Sequence, residues 1–290
     1  MSDIAKHTLV GIQIAGSEIA NIVQDSAKLS PGLQKLVEDA GAIHPSAVMT
    51  LSAEPVLEFK TNKIDLLDAP ASIADNDVVL WFRAYDAASG LGTGYVSLTI
   101  GDGLLEPVSL SGAPGQKAEL TIRVHAISSD GDTVPVAVGT ANPSSLSVLS
   151  VFYTLGTVTV GSGLSGVTSF EMQFGYNVTK NTGEGGYPYP TQAYIDGQRA
   201  QFSIGLRQIA AATSARLNTG NAETTLTAQF RRLAEGGVPN GTYTVTAVEG
   251  LASIDDVSGG RPAELTMTVD LAGNDWAGTN YLQFATVAPS

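Results

Sequence analysis

The sequence predicts an all-β protein, mainly β with one or two short helices, and two observations carry that prediction. From Ala47 onward apolar and polar residues alternate with a period of two in one segment after another, the pattern of half-buried strands. Glycine (32) and proline (13) are plentiful while charged residues make up only 15%, a profile that suits short strands joined by tight turns. Hydrophobic residues make up 43% of the 290, enough to build a real core. That length accommodates one large domain or two ordinary ones.

Residues 1–45 read as an N-terminal extension. Within it LVGIQIAG is a short apolar strand, and SPGLQKLVEDAG has the marks of a helix. Ser30 stands at the N-cap and Pro31 in the first turn. Leu33, Leu36, Val37 and Ala40 fall at helical spacing, and Gly41 follows the end. A first β-domain is expected over 46–160, with strands in AVMTLSAEPVLEFKT, DVVLWFRAYD, GYVSLTIGDG, AELTIRVHAIS, TVPVAVG and VFYTLGTVTVG. A second is expected over 161–290, with strands in GVTSFEMQFGYNVTK, AQFSIGLRQ, GTYTVTAVEG, AELTMTVDLAG and NYLQFATVA. Regularly spaced short strands suggest sandwiches or barrels rather than a parallel α/β sheet. NAETTLTAQFRRLAEGG is a second helix candidate, with Asn221 as cap, Leu226, Phe230 and Leu233 on one face and Gly236 after the end. A strand through TTLTAQF is the competing reading.

Residues 179–198, TKNTGEGGYPYPTQAYIDGQ, form a long loop or extended hairpin with three glycines before Tyr187 and two Tyr-Pro pairs. Tyr187, Tyr189 and Tyr194 are amphipathic residues of the kind enriched at interfaces. They mark this segment as a candidate contact arm between subunits or between rings.

One strand is nearly repeated. AELTIRV (118–124) and AELTMTV (263–269) share five of seven residues and lie 145 positions apart. Before each comes a Tyr-led strand, then a Gly-containing turn, then VSLSG or VSGG, then a Pro. Further upstream VVLWFRAYD and AQFSIGLRQ match in pattern, as do VMTLSAEPVLEFK and VTSFEMQFGYNVT. A tandem duplication of one β-domain accounts for this; a single larger β-fold with convergent strands is the other reading. Under duplication, the second copy keeps the long loop and the helix, and the first has lost them or replaced them with residues 1–45.

The chain has 28 acidic against 15 basic residues, a net charge of −13. Tight phosphate contact needs Lys and Arg, so such a chain is not expected to grip nucleic acid. There is no cysteine, hence no disulfide framework. The N-terminus lacks the pattern of a signal peptide, and no run approaches the roughly 18 apolar residues of a membrane helix. A soluble protein made in the cytoplasm is expected.

Catalytic and metal patterns are weak. His7, His44 and His125 lie in three separate segments without ligand spacing; His125 reads as a surface or packing residue. GSGLSG (161–166) fits G-x-G-x-x-G, but a strand follows where a dinucleotide site needs a helix, so it reads as a linker or hairpin. Asp130 and Asp132 in SSDGDT could touch calcium, yet a specific site needs more oxygens; an Asp-Gly turn is the simpler reading. SIDDVSGG (253–260) is read the same way. There is neither a nucleophile elbow nor a phosphate-binding lysine loop, and nothing singles out a pair of acids for glycoside hydrolysis. No enzyme activity, cofactor or metal is expected.

The stretch GVTSFEMQFGYNVTKNT…YPYPTQAYIDGQRAQFSIGLRQ resembles the tail tube proteins of long-tailed bacteriophages. In that family a strand, a long loop or hairpin, a returning strand and a short helix are set on a β-sandwich. The resemblance covers about 167–285 and reaches the first half only through the suspected duplication. It implies two tandem tube domains and self-assembly into stacked rings within the virion, where double-stranded DNA passes a negative lumen without specific binding. Other tail proteins would be partners, and no membrane is involved. With two domains per chain, three chains make a pseudo-hexameric ring; a plain homohexamer is the alternative. Other classes left open are a β-sandwich adhesin, fibre or carbohydrate-binding module, and a β-sandwich hydrolase.

Overall fold

A computed structural model describes residues 6–19, 22–23, 26–38, 47–68, 77–86, 90–140, 142–143, 152–182, 184–207, 224–233, 239–258, 264–271 and 282–287. Among them the chain is antiparallel β throughout, with two short 3-10 segments at Ile64–Asp68 and Glu184–Gly186 and no α-helix. The first eleven strands are β1 (Lys6–Ile14), β2 (Ser17–Ile19), β3 (Lys28–Ser30), β4 (Leu33–Glu38), β5 (Ala47–Ala53), β6 (Val56–Thr61), β7 (Val78–Asp86), β8 (Gly90–Ile100), β9 (Gly103–Gly112), β10 (Glu119–Ala126) and β11 (Val136–Gly139). Ten more follow: β12 (Phe152–Val160), β13 (Ser162–Leu164), β14 (Val167–Gln173), β15 (Tyr176–Asn181), β16 (Gln192–Gln198), β17 (Gln201–Leu206), β18 (Thr224–Leu233), β19 (Pro239–Ser258), β20 (Glu264–Leu271) and β21 (Leu282–Val287).

The same architecture is written twice. β1 to β11 form a sheet in the order β11-β8-β7-β1-β2, a second run of strands β3-β6-β10-β9, and a separate hairpin β4–β5. β12 to β21 repeat this as β21-β19-β18-β12-β13, β14-β17-β20-β19 and the hairpin β15–β16. One element differs. β8 and β9, separated by a bend at Gly101–Asp102, are matched by the single strand β19, whose first half pairs with β18 and second half with β20.

The registers repeat along with the order. In β10, Thr121 faces Ser109 but Ile122 faces Pro107, so β9 carries a bulge between them. In β20, Thr266 faces Asp256 but Met267 faces Ile254, a bulge at the corresponding place. The hairpins agree too: Gln34 faces Ser52 and Lys35 faces Thr50, while Asn177 faces Gly197 and Val178 faces Ile195. Bulges re-aim side chains and are specific features of a fold. Chance resemblance between strands would not reproduce two of them at matching positions.

This repeat redraws the expected boundaries. β1, β3 and β4 fall within the stretch read as an extension, yet β1 pairs with β7 and β3 with β6. β12, expected to close the first domain, pairs with β18. The units therefore run from β1 to β11 and from β12 to β21. The counterpart of AQFSIGLRQ (β17) is β6, since each borders the repeated strand, β20 or β10; the counterpart of VVLWFRAYD (β7) is β18. The long hairpin is likewise present in both units.

Both expected helices are strands. In β18, Leu226, Ala228 and Phe230 are buried while Thr225 and Gln229 are exposed. Leu226 and Phe230 are four apart, a spacing that satisfies period two as well as a helical turn; buried Ala228 between them is what only a strand explains. The other candidate is interrupted by Gly32 and resumes as β4, paired with β5. Gly32 has φ +56 and Gly175 has φ +60, and each carbonyl accepts the N–H of the residue just after the hairpin's second strand, Glu54 or Arg199. A Cβ at either glycine would collide with the carbonyl oxygen of that same residue. Glycine is thus required at the root of both hairpins.

Within each unit the two sheets share one core. Ile12, Leu80 and Ile100 join Leu57, Phe59 and Val124 in the first unit; Val158, Phe230 and Val245 join Phe170, Phe202 and Met267 in the second. Phe170 of β14 meets Phe230 of β18 edge-on at 5.7 Å, a favoured aromatic geometry. Gly32→Ala and Gly175→Ala should each lower stability by about 1–3 kcal/mol, measured by chemical denaturation. If either substitution is neutral, that hairpin root is not built as described.

Candidate assembly interface

The two units are joined by hydrogen-bonded strand pairing. β9 pairs antiparallel with β14, with Ser109 opposite Gln173, Leu110 opposite Met172, Ser111 opposite Glu171 and Gly112 opposite Phe170. The Phe174 N–H extends this seam by donating to the Val108 carbonyl at 3.1 Å. Leu110 and Met172 are fully buried beneath it. The strand runs β3-β6-β10-β9 and β14-β17-β20-β19 thereby become one continuous sheet. The arrangement is head-to-tail, with the β9 edge of one unit meeting the β14 edge of the next. It leaves two unlike ends: β3 terminates the sheet on one side, and beyond Gly250 β19 pairs only with β20 among the described strands.

The Tyr-Pro segment reinforces this junction. β15 and β16 carry it out from the second unit, and its tip docks on the first unit. The Ala53 N–H donates to the Pro188 carbonyl at 2.7 Å, Tyr189 N–H to Gly131 at 3.1 Å, and Ser128 N–H to Pro190 at 2.8 Å. Tyr187 lies against Gly131. Lys180 pairs with Glu54 at 3.3 Å, and the Thr182 hydroxyl donates to the same carboxylate at 3.0 Å. Of the three tyrosines singled out in the sequence, Tyr187 and Tyr189 thus sit at the contact between units. Tyr194, on β16, is exposed. The receiving loop is SSDGDT. There the Asp130 carboxylate accepts hydrogen bonds from Thr133 N–H and Oγ1, Ser128 Oγ and Asp132 N–H. The bonds from Thr133, then those from Ser128 and Asp132, hold its pKa well below the usual carboxylate range. Those oxygens cap the turn.

Beneath the hairpin lies a cavity of about 380 Å³ lined by Glu54, Glu106, Arg123, His125, Tyr176, Val178 and Lys180. Glu106 is buried and meets His125 Nε2 at 2.6 Å and Arg123 at 3.3 Å; Arg123 also reaches Glu58 at 2.9 Å. His125 is thus a buried, paired residue. Its Nδ1 is buried without a hydrogen-bond partner, and Nε2 donates to the Glu106 carboxylate. Burial alone would raise the Glu106 carboxyl. The hydrogen bond from His125 and the charges of Arg123 and His125 outweigh it and hold the pKa below its ordinary value. In the second unit the corresponding register positions are Ser253, Thr268, Asp270 and Ser203, so this cluster belongs to one junction only.

The outward face of the continuous sheet is polar and charged. It carries Glu58, Glu119, Glu171, Glu264 and Asp270 beside Lys28, Lys60, Arg123 and Arg207, all partly or fully exposed. Cross-strand pairs such as Lys60–Glu119 at 3.7 Å lie along it. Elsewhere, GSGLSG is the β12–β13 hairpin, and His7 is exposed on β1 while His44 lies outside the described residues. Among the described residues no group of three or more His, Asp or Glu side chains is placed to hold a metal, and no helix is long and apolar enough to cross a membrane. No protein-family model matches this chain, and no curated protein matches it either.

Little in the sequence announced Glu54, Glu106, Arg123 and Lys180, which stand singly on four different strands or strand ends. Replacing Glu106 by Gln should cost about 1–3 kcal/mol, because a buried charge-assisted pair is lost. A carboxyl whose folded pKa is depressed stabilises fully above its unfolded value and loses that effect as pH falls through the folded value. The stability gap between parent and Glu106→Gln should therefore close in acid. A gap that is constant from neutral to acidic pH would contradict the assignment.

Proposed function

We propose that this chain is a structural subunit of a bacteriophage tail tube. Three chains close into a ring of six quasi-equivalent units, and rings stack into a tube that passes double-stranded DNA. The observation that carries this reading is the head-to-tail seam between β9 and β14. A heterologous contact of that kind repeats until it closes into a ring or runs on as a filament. Two units per chain make half of the ring contacts intramolecular, where the effective concentration is high.

The polar outward face of the continuous sheet suits the wall of such a channel, and the chain's net charge of −13 disfavours adhesion of DNA as it slides. The hairpin that bridges the two units matches the long loop of the tail tube proteins that the sequence resembles. The subunit would reside in the virion, beside other tail proteins. An adhesin, a carbohydrate-binding module or a hydrolase of this fold would have no need of a propagating seam.

Electron microscopy of concentrated protein should show rings or tubes, and end-on averages should show six lobes with threefold symmetry. Monodisperse single chains at all concentrations would overturn the proposal. Six identical chains, each with a peripheral lobe, would overturn the three-chain ring. In gel-shift assays at low salt, where phosphate contacts are strongest, micromolar protein should leave DNA unshifted; a salt-sensitive shift would remove the repulsive lumen.

A further inference from the structure

Three exposed leucines stand where the junction between units has buried or packed side chains. Register places Leu29 of β3 where the second unit has Met172; Leu29 is 37% exposed and Met172 0%. Leu251 of β19 faces Asp270 as Leu104 of β9 faces His125, and Leu251 is 46% exposed against 6% for Leu104. Leu33 of β4 takes the place of Tyr176, which is half-buried and stacked on Phe174 at 5.9 Å; Leu33 is 49% exposed. Each exposed leucine lies at one of the two free ends of the continuous sheet or on the hairpin beside it. Open strand edges with exposed apolar side chains call for a covering strand.

Charge at these ends differs from that at the internal junction. Inside the chain, Glu54 at the hairpin root of the first unit receives Lys180 from the hairpin of the second. The residue matching Glu54 is Arg199, which is exposed. In the first unit the register position of Lys180 is held by Val37. A second copy of this chain therefore brings no lysine to Arg199 as the second unit brings Lys180 to Glu54, so the two junction types are told apart.

We infer that the seam between chains pairs β19 of one chain with β3 of the next in the register of the internal seam. Asp256 stands opposite Ser30, Val257 opposite Leu29 and Ser258 opposite Lys28. This rests on the ring reading and specifies its contact. Leu29 is covered as Met172 is, and Lys28 gains Asp256 as a diagonal neighbour. Pro31 occupies the position from which Phe174 donates to Val108, so the seam between chains is one hydrogen bond shorter.

The chain has no cysteine, so engineered thiols report cleanly. Directly opposed residues in an antiparallel pair have Cβ atoms about 4.5–5.5 Å apart, near the span a disulfide needs. A Leu29→Cys/Val257→Cys chain, oxidised under assembly conditions, should give covalent species of two and three chains and a ladder that ends there. A Lys28→Cys/Val257→Cys chain, out of register by one and on opposite faces, should give roughly tenfold less product. Leu29→Cys and Val257→Cys chains mixed in equal amounts should give dimers only, which keeps the test valid if the double variant folds poorly. Rings seen by microscopy without the in-register cross-link, or equal cross-linking by the out-of-register pair, would overturn this seam and leave the tube reading standing. Absence of rings from the parent chain would instead remove the tube reading on which the seam rests.

Discussion

A sheet edge is a row of unpaired donors and acceptors, and this fold has two per unit. The constraint that organises the molecule is that the β9 edge of one unit must meet a strand of the β14 kind. Within the chain the requirement is satisfied by a short antiparallel seam over buried Leu110 and Met172. Everything else at the junction follows from holding that seam in register. The hairpin reaches across it, Pro188 and Pro190 carbonyls accept from the first unit, and the Asp130 turn is braced to receive Tyr189. Among the described strands, β3 and the second half of β19 have no such partner at the two ends of the chain's own sheet.

The two junctions that such assembly would contain are not equivalent. The internal one encloses Glu106, His125 and Arg123, with Glu58 beside them; the matching positions in the second unit carry Ser253, Asp270, Thr268 and Ser203. Fusing two units relaxes the demand that every junction be the same, so each copy can specialise. Buried charge clusters often give specificity more than stability, and a cluster confined to one junction fits that use.

Much of the fold was legible in the sequence because its central strands alternate cleanly. β10 and β20 stood out as near copies, and both prove to be interior strands flanked by equivalent partners. The errors have physical causes. Leu226 and Phe230 sit four apart, which serves a strand and a helix equally, and tertiary pairing decided for the strand. SPGLQKLVE and QFGYNVTKN build the same hairpin root yet share little beyond Gly32 and Gly175, because only the left-handed turn constrains the residue type there. Strand partners could not be ranked by pattern, so β7 stood in for β6 in the comparison with β17. Of the residues at the junction within the chain, Tyr187 and Tyr189 stand in the one loop that composition marks, whereas Tyr194 lies exposed on β16. Glu54, Glu106, Arg123 and Lys180 were not legible, since pairing across distant strands leaves no local signature.

The central claim is that the free ends of the sheet are two halves of one more seam. Hydrogen exchange, compared between single chains and assembled material, tests it most directly, because edge amides exchange readily until a strand covers them. The account predicts that amides in 28–30 and 254–258 are weakly protected in the single chain. On assembly they should gain protection approaching that of 109–112 and 170–173, which should change little. Assembled particles in which 28–30 and 254–258 exchange as fast as in the single chain would contradict it.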